Sequence, residues 1–132
     1  MILVDSCVWI DLLKGNRTAA VRRLEQIRNH WTSEICINSI IYFEVLRGVF
    51  DDLQRKKIQQ DLEKLERREF LHAGFDKLIY LLHAARRKGI QLVKLGDWLI
   101  IKTALDHNLS LLTSDHDFTR LRQMVPIRLE PV

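Results

Sequence analysis

The chain has 132 residues, the length of one domain (1–132), and that is enough to bury a core without disulfide or metal staples. Its 47% hydrophobic and 29% charged residues exclude a disordered tail, and no run approaches the roughly 18 consecutive apolar residues of a membrane span. The net charge of +4, with a pI of about 9.3, permits a polyanionic partner without requiring one.

Met1 to Val4 is a short apolar run, as expected of a strand covered on both faces. Asp5 or Ser6 then caps a helix with apolar positions Val8, Trp9, Leu12 and Leu13, stopped by Gly15. Ala20, Val21, Leu24 and Ile27 follow at helical spacing. Ile35 to Ile37 reads as a strand, and Ser39 caps the next helix, "IIYFEVLRG", which ends at Gly48. Leu53, Ile58, Leu62 and Leu65 mark a long charged helix, and Glu69 to Leu71 a weak strand. Phe75, Leu78, Ile79, Leu82 and Ala85 mark a helix stopped by Gly89. Asp97 caps "WLIIKTALDHN", with Asn108 as its stop. Leu109 to Thr113 is a strand, Phe118 to Arg122 a short helix and Ile127 to Leu129 a last strand.

Strands separated by helices imply βαβ units with right-handed crossovers. The expected fold is α/β: a three-layer α/β/α sandwich with a mainly parallel central sheet. Cys7 and Cys36 form no C-x-x-C pattern and sit in apolar settings, so they read as free thiols in a reducing compartment. The N-terminus has no basic stretch and no small-residue cleavage site, so the expected location is cytoplasmic.

In open parallel sheets, ligands bind beyond the carboxyl ends of the strands. Asp5 and Asp115 each lie just past such an end, beside the hydroxyls Ser6 and Thr113. Glu44 sits among apolar residues and must face something polar. Asp97 starts a helix that would open at the mouth of the sheet. Clustered carboxylates repel, and a divalent cation relieves the repulsion; Mg²⁺ and Mn²⁺ take oxygen ligands and serve phosphoryl transfer.

Each acid also has a plainer reading. Asp5 and Asp97 serve as helix caps, Glu44 pairs with Arg47 at helical spacing, and Asp115 and Asp117 shape a turn before a helix. Their joint placement at mouth positions favours a site. His116, between two acids, reads as a surface residue, because ions of this class favour oxygen. Arg67-Arg68 and Arg86-Arg87-Lys88 read as solvated helix ends, with steering of a polyanion as the alternative.

The stretches "ILVDSCVWIDLLKG", "INSIIYFEVLRG" and "GDWLIIKTALDHNLSLLTSDHDF" resemble the PIN domain over nearly the whole chain, and most closely the VapC-type toxins of toxin–antitoxin pairs. The resemblance implies a metal-dependent endoribonuclease. It implies that Asp5, Glu44, Asp97 and Asp115 are the acidic cluster holding Mg²⁺ or Mn²⁺, with Asp117 auxiliary and Ser6 and Thr113 at the hydroxyl positions. RNA would be hydrolysed by metal-activated water without a protein nucleophile. It also implies a homodimer and a cognate antitoxin that covers the acidic cleft, and no membrane partner. Ile101 and Lys102 depart from the small alanines usual in that helix.

Two other classes remain open. A haloacid-dehalogenase-like phosphatase also places an Asp after its first strand, but it wants a second Asp where this chain has Cys7. A non-catalytic PIN-fold binding domain is the other, against which stand four intact acids.

Overall fold

The computed structural model describes residues 1–30, 32–90 and 94–132. Five strands form one sheet: β1 (Ile2–Val4), β2 (Ile35–Ile37), β3 (Glu66–Arg67), β4 (Ser110–Leu112) and β5 (Arg128–Leu129). Their order across the sheet is β3-β2-β1-β4-β5, and every neighbouring pair is parallel. The connecting helices are α1 (Ser6–Leu13), α2 (Ala19–His30), α3 (Ser39–Leu46), α4 (Asp52–Glu63), α5 (Phe75–Arg87), α6 (Leu95–Asp106) and α7 (His116–Leu121). The three-layer α/β/α fold expected from the alternation is therefore present.

The sheet centre is the part most strongly dictated by sequence. Leu3, Val4, Ile37, Leu111 and Leu112 have no exposed surface, as a strand covered on both faces requires. Truncating one of these leucines to Ala would cost about 2–5 kcal/mol in lost transfer and cavity energy. Val8, Leu24, Ile27, Ile41, Ile100, Ile101 and Phe118 bring the apolar faces of the helices onto this layer.

The strand order has a consequence for function. From β1 the chain steps outward to β2 and β3, then returns across the sheet to β4 on the other side of β1. The order thus reverses between β1 and β4, and at such a switch point the loops leave in opposite directions and open a crevice beyond the strand ends. Val4 pairs with Leu112, and Asp5 N–H donates to Leu112 O at 2.9 Å, so the two exits are level.

Several local assignments differ from the periodic reading. The third strand is Glu66–Arg67, not Glu69 to Leu71. It is an exposed edge held by backbone pairing to Cys36 and Ile37, so no apolar pattern announces it. Glu69 instead accepts from Ser39 N–H and Oγ, both at 2.8 Å. The cap of α3 is Asn38, whose Oδ1 accepts from Ile41 N–H at 2.8 Å. Helix α6 begins at Leu95 after Lys94, so Asp97 lies within its first turn and is not the cap. Leu53 is 80% exposed, while Ile58 and Leu62 carry the buried face of α4. Asn108 stops α6 with φ of 53°, a left-handed conformation that Asn tolerates better than most side chains.

No described helix is long and apolar enough to cross a membrane. Both cysteines are free: Cys36 is buried in the core and Cys7 half-buried.

Candidate active site

Asp5 follows β1 directly and is only 3% exposed. It caps α1, with Oδ1 accepting from Ser6 N–H at 2.7 Å. Its other oxygen, Oδ2, accepts from Thr113 Oγ at 2.8 Å and from Cys7 Sγ at 3.3 Å. The capping reading holds on Oδ1, while Oδ2 faces Thr113 and Cys7. Thr113 extends from the end of β4, so this bond ties the two strand exits across the switch point.

Asp115 caps α7, with Oδ1 accepting from Asp117 N–H at 2.9 Å, while its own N–H donates to Thr113 Oγ at 3.0 Å. Glu44 comes from the middle of α3. It makes no ion pair with Arg47; its Oε2 accepts from Ser6 Oγ at 2.5 Å. Asp97 enters from the first turn of α6.

Asp5, Ser6, Glu44, Asp97 and Asp115 line one cavity of about 510 Å³ at the carboxyl end of the sheet. Thr113 meets it through Asp5. The Asp117 side chain is not part of this lining and faces Arg120, 3.8 Å away. His116 is exposed and also stands apart from it.

The electrostatics agree with the crowding. Burial, then the charges of Asp5, Glu44 and Asp115, push the Asp97 carboxyl up from 3.8 to about 6. Burial is also the main reason that Asp5 is raised, against the lowering effect of hydrogen bonds from Thr113, Cys7 and Ser6 N–H, with Glu44 adding to the rise. Burial and the charge of Asp5 lift the Cys7 thiol to about 11, so it stays protonated and acts as a donor.

Two features sequence reading missed hold this arrangement. Gly96 leaves space for Glu44: a β-carbon at position 96 would stand 2.6 Å from Glu44 Oε1. The only sequence sign is a Gly beside Asp97. Asn38 is fully buried, and its Nδ2 donates to Thr103 Oγ at 3.0 Å, joining α3 to α6. Its sign is a polar residue directly after a strand, as Asp5 is after β1.

These residues fit a hard divalent cation. The four carboxylates offer oxygen donors, their mutual repulsion helps raise Asp97 even though Lys94 works against the rise, and the Gly96 space seats the Glu44 carboxylate. Among the described residues, no three acidic, His or Cys side chains are already drawn together as a ready-made ligand set. The acids stand around the cavity walls, an arrangement that suits Mg²⁺, which keeps several of its own waters.

An α/β sheet with acids lining the crevice at its switch point places them where sheets of this kind bind ligands. The PIN domain family profile matches residues 2–123, and the chain belongs to the PIN-domain family. It is 24% identical over 119 residues, 89% of each chain, to Ribonuclease VapC11 of Mycobacterium tuberculosis and, to the same extent, to VapC ribonuclease Mb1587 of Mycobacterium bovis. Its fold is similar to that of VapBC2 from Rickettsia felis bound to a promoter DNA fragment, with TM-score 0.74, 21% identity and 98% of each chain covered. It is also similar to a toxin–antitoxin complex from Klebsiella pneumoniae, with TM-score 0.62 and 28% identity over 89% of this chain and 90% of that one.

Proposed function

We propose that this protein is a Mg²⁺- or Mn²⁺-dependent endoribonuclease and the toxin member of a toxin–antitoxin pair. The observation that carries the reading is the meeting of Asp5, Glu44, Asp97 and Asp115, from four separate elements, on one cavity of a PIN fold. The VapC ribonucleases among its relatives support the substrate class.

Asp5, Glu44, Asp97 and Asp115 hold the metal, and Asp117 steadies the loop after β4 through its N–H on Asp115. Bound there, the ion supplies an activated water and neutralises charge that develops on the phosphate. The chain's own part is orientation. Thr113 and Ser6 fix the Asp5 carboxylate, and Ser6 also holds Glu44 in place. Thr113 donates to Asp5 and Ser6 to Glu44, and in this reading both hydroxyls act by positioning those carboxylates.

For partners, the reading includes RNA, a homodimer and a cognate antitoxin, in the cytoplasm. The exposed Ile79 (50%) and Tyr80 (67%) on α5 offer apolar surface for a second copy. An antitoxin tail over the acidic cavity would bring Arg or Lys to the carboxylates and stabilise the toxin by mass action. Phe43 and Leu53, exposed on α3 and α4, offer apolar surface to such a tail.

The test is cleavage of RNA by the purified chain after metal removal and after restoration of Mg²⁺ or Mn²⁺. Cleavage that returns only with the ion supports the reading. Cleavage that persists in excess chelator, or no cleavage of any RNA with either ion, overturns it. Light scattering tests the dimer, and co-expression with the neighbouring reading frame tests silencing by an antitoxin.

A further inference from the structure

A cavity of about 360 Å³ lies at the other end of the sheet from the acids, where β4 and β5 begin. Its walls are the first turns of α5, the last turns of α6 and the residues that lead into the two strands. The floor is apolar: Leu78 and Leu81 come from α5, Leu105 from α6, and Leu109 and Ile127 from the strand entries. The volume lies at the lower end of the roughly 300–1,000 Å³ that holds small organic ligands, and an apolar lining with a few polar groups is the usual chemistry of such sites.

The charged groups on this lining are mostly cations. Lys77, Lys102 and Arg128 share it with one acid, Asp106. That acid is already occupied, since its Oδ2 accepts from Lys102 Nζ at 2.6 Å and from Leu71 N–H at 2.8 Å. Lys102 is occupied too: its Nζ also donates to Leu71 O at 3.1 Å and sits over the Phe75 ring. The buried pair therefore cancels, and Lys77 and Arg128 remain, both exposed. Among the described residues, neither lies within ion-pair distance of a carboxylate. Asp76, beside Lys77, is exposed and not on the lining, and Glu130, two residues after Arg128, is held by Arg23 at 2.6 Å. Arg128 donates through Nη2 to Asn108 O, which uses one of the five N–H groups of a guanidinium.

An apolar slot beside two unpaired cations has a defined complement. The floor gains free energy when any apolar group covers it. The cations gain charge-assisted hydrogen bonds only from an anion, and the fork of Arg128 suits a carboxylate or a phosphate. An uncharged apolar molecule would use the floor alone, and a bare inorganic anion the cations alone.

We infer that this cavity binds a small amphiphilic anion, a carboxylate or phosphate monoester on an apolar body. The body lies on Leu78, Leu81 and Ile127, and the head meets Arg128 and Lys77. No residue lines both this cavity and the acidic one, and the two stand at opposite ends of the strands. The inference is therefore independent of the nuclease reading. A ligand seated there bridges α5, α6 and the entry to β5, and stabilises the folded chain by mass action.

The experiment titrates the full chain with hexanoate and with salicylate, followed by nitrogen–proton NMR, with hexanol and inorganic phosphate as the controls for body and head alone. At least one of the two organic anions is expected to saturate a single site, to move the amide signals of Lys77, Leu81 and Ile127, and to leave those of Asp5 and Asp115 in place. Hexanol and phosphate are expected to bind at least about ten-fold more weakly. Lys77→Gln and Arg128→Gln are each expected to weaken the organic anion by about ten-fold, the worth of one charge-assisted hydrogen bond. Leu81→Trp, which fills the slot, is expected to abolish binding. Thermal melts confirm that each variant folds, and the two Gln variants replace exposed side chains.

No saturable shift with either organic anion would overturn the site. So would unchanged affinity in the folded Lys77→Gln and Arg128→Gln proteins. Hexanol binding as tightly as hexanoate would reduce the cavity to a plain apolar slot, and phosphate binding as tightly would reduce it to a bare anion site; either result overturns the amphiphile. Binding that vanishes as the chain dimerises, read by light scattering, would also overturn it by giving this face to a second copy. Each of these outcomes leaves the nuclease reading untouched.

Discussion

Asn38 Nδ2 donates to Thr103 Oγ across 3.0 Å of fully buried space, and this bond joins the helices that carry Glu44 and Asp97. Thr103 also donates to Leu99 O at 2.8 Å, while Asn38 Oδ1 caps α3. One pair of side chains thus sets the spacing between two of the four acids. Thr103→Val keeps the shape but leaves the Asn38 amide without its acceptor. The expected cost is about 1–3 kcal/mol, read as a lower urea midpoint at unchanged slope. A midpoint equal to wild type would show that the bond contributes nothing.

Gly96→Ala tests the space left for Glu44. A β-carbon there meets Glu44 Oε1 at 2.6 Å, but that atom is the end of a flexible chain and can swing away. Position 96 lies in the first turn of α6, where Ala is no worse than Gly for the helix. The variant should therefore melt near or above the wild-type temperature while binding Mn²⁺ and cleaving RNA at least about ten-fold less well. Mn²⁺ titration by electron paramagnetic resonance separates lost metal from lost fold. Wild-type Mn²⁺ affinity in a folded Gly96→Ala protein would refute this role.

Asp5→Asn should abolish RNA cleavage in a folded protein. Asn keeps the shape and retains an oxygen for Ser6 N–H, but removes the charge that a cation needs. Because burial and Glu44 disfavour the ionised Asp5, the metal-free variant should melt above the wild type. Full cleavage by a folded Asp5→Asn protein would end the proposed mechanism.

The same crowding gives a dependence on pH. Asp97 titrates at about 6 in the folded chain against 3.8 for an ordinary Asp, so between these values the folded state holds a proton that the unfolded state has lost. Stability of the metal-free protein then falls as pH rises through that window and levels off above it. Asp5, also raised, adds in the same direction. Calorimetry should find a higher melting temperature at pH 5 than at pH 7.5, with a smaller difference in Asp97→Asn and on adding Mg²⁺. An equal pH difference in wild type and Asp97→Asn would assign the effect to other groups.

Lys102 tests the far side of α6. Its Nζ reaches Asp106 Oδ2 at 2.6 Å and Leu71 O at 3.1 Å, and it sits over the Phe75 ring at 4.9 Å. The side chain is 3% exposed, so Lys102→Met strands Asp106 in a poorly solvated place with only Leu71 N–H as partner. The expected loss is about 3–5 kcal/mol, seen in denaturant unfolding, with RNA cleavage per folded molecule unchanged. A loss below about 1 kcal/mol would show that the pair is replaceable.

The sequence by itself determined the sheet centre and the class of fold. Ile2 to Val4, Ile35 to Ile37 and the pair Leu111-Leu112 are so uniformly apolar that only burial on both faces suits them, and helical spacing between them forces parallel crossovers. Asp5 and Asp115 were legible because position after a strand end is a one-dimensional property. What only the tertiary structure decided depends on groups far apart in the chain. The edge strand Glu66–Arg67 forms by backbone pairing, which leaves no side-chain pattern. Glu44 is turned from Arg47 to Ser6, 38 residues away, because the packing of α1 against α3 puts a hydroxyl within reach. Gly96 and Asn38 matter through what lies opposite them, and a carboxylate in one helix or a hydroxyl in another cannot be read from the residues on either side. Residue type and periodicity record how a segment meets water, whereas the closing of the site is set by distances that exist only once the sheet has ordered its helices.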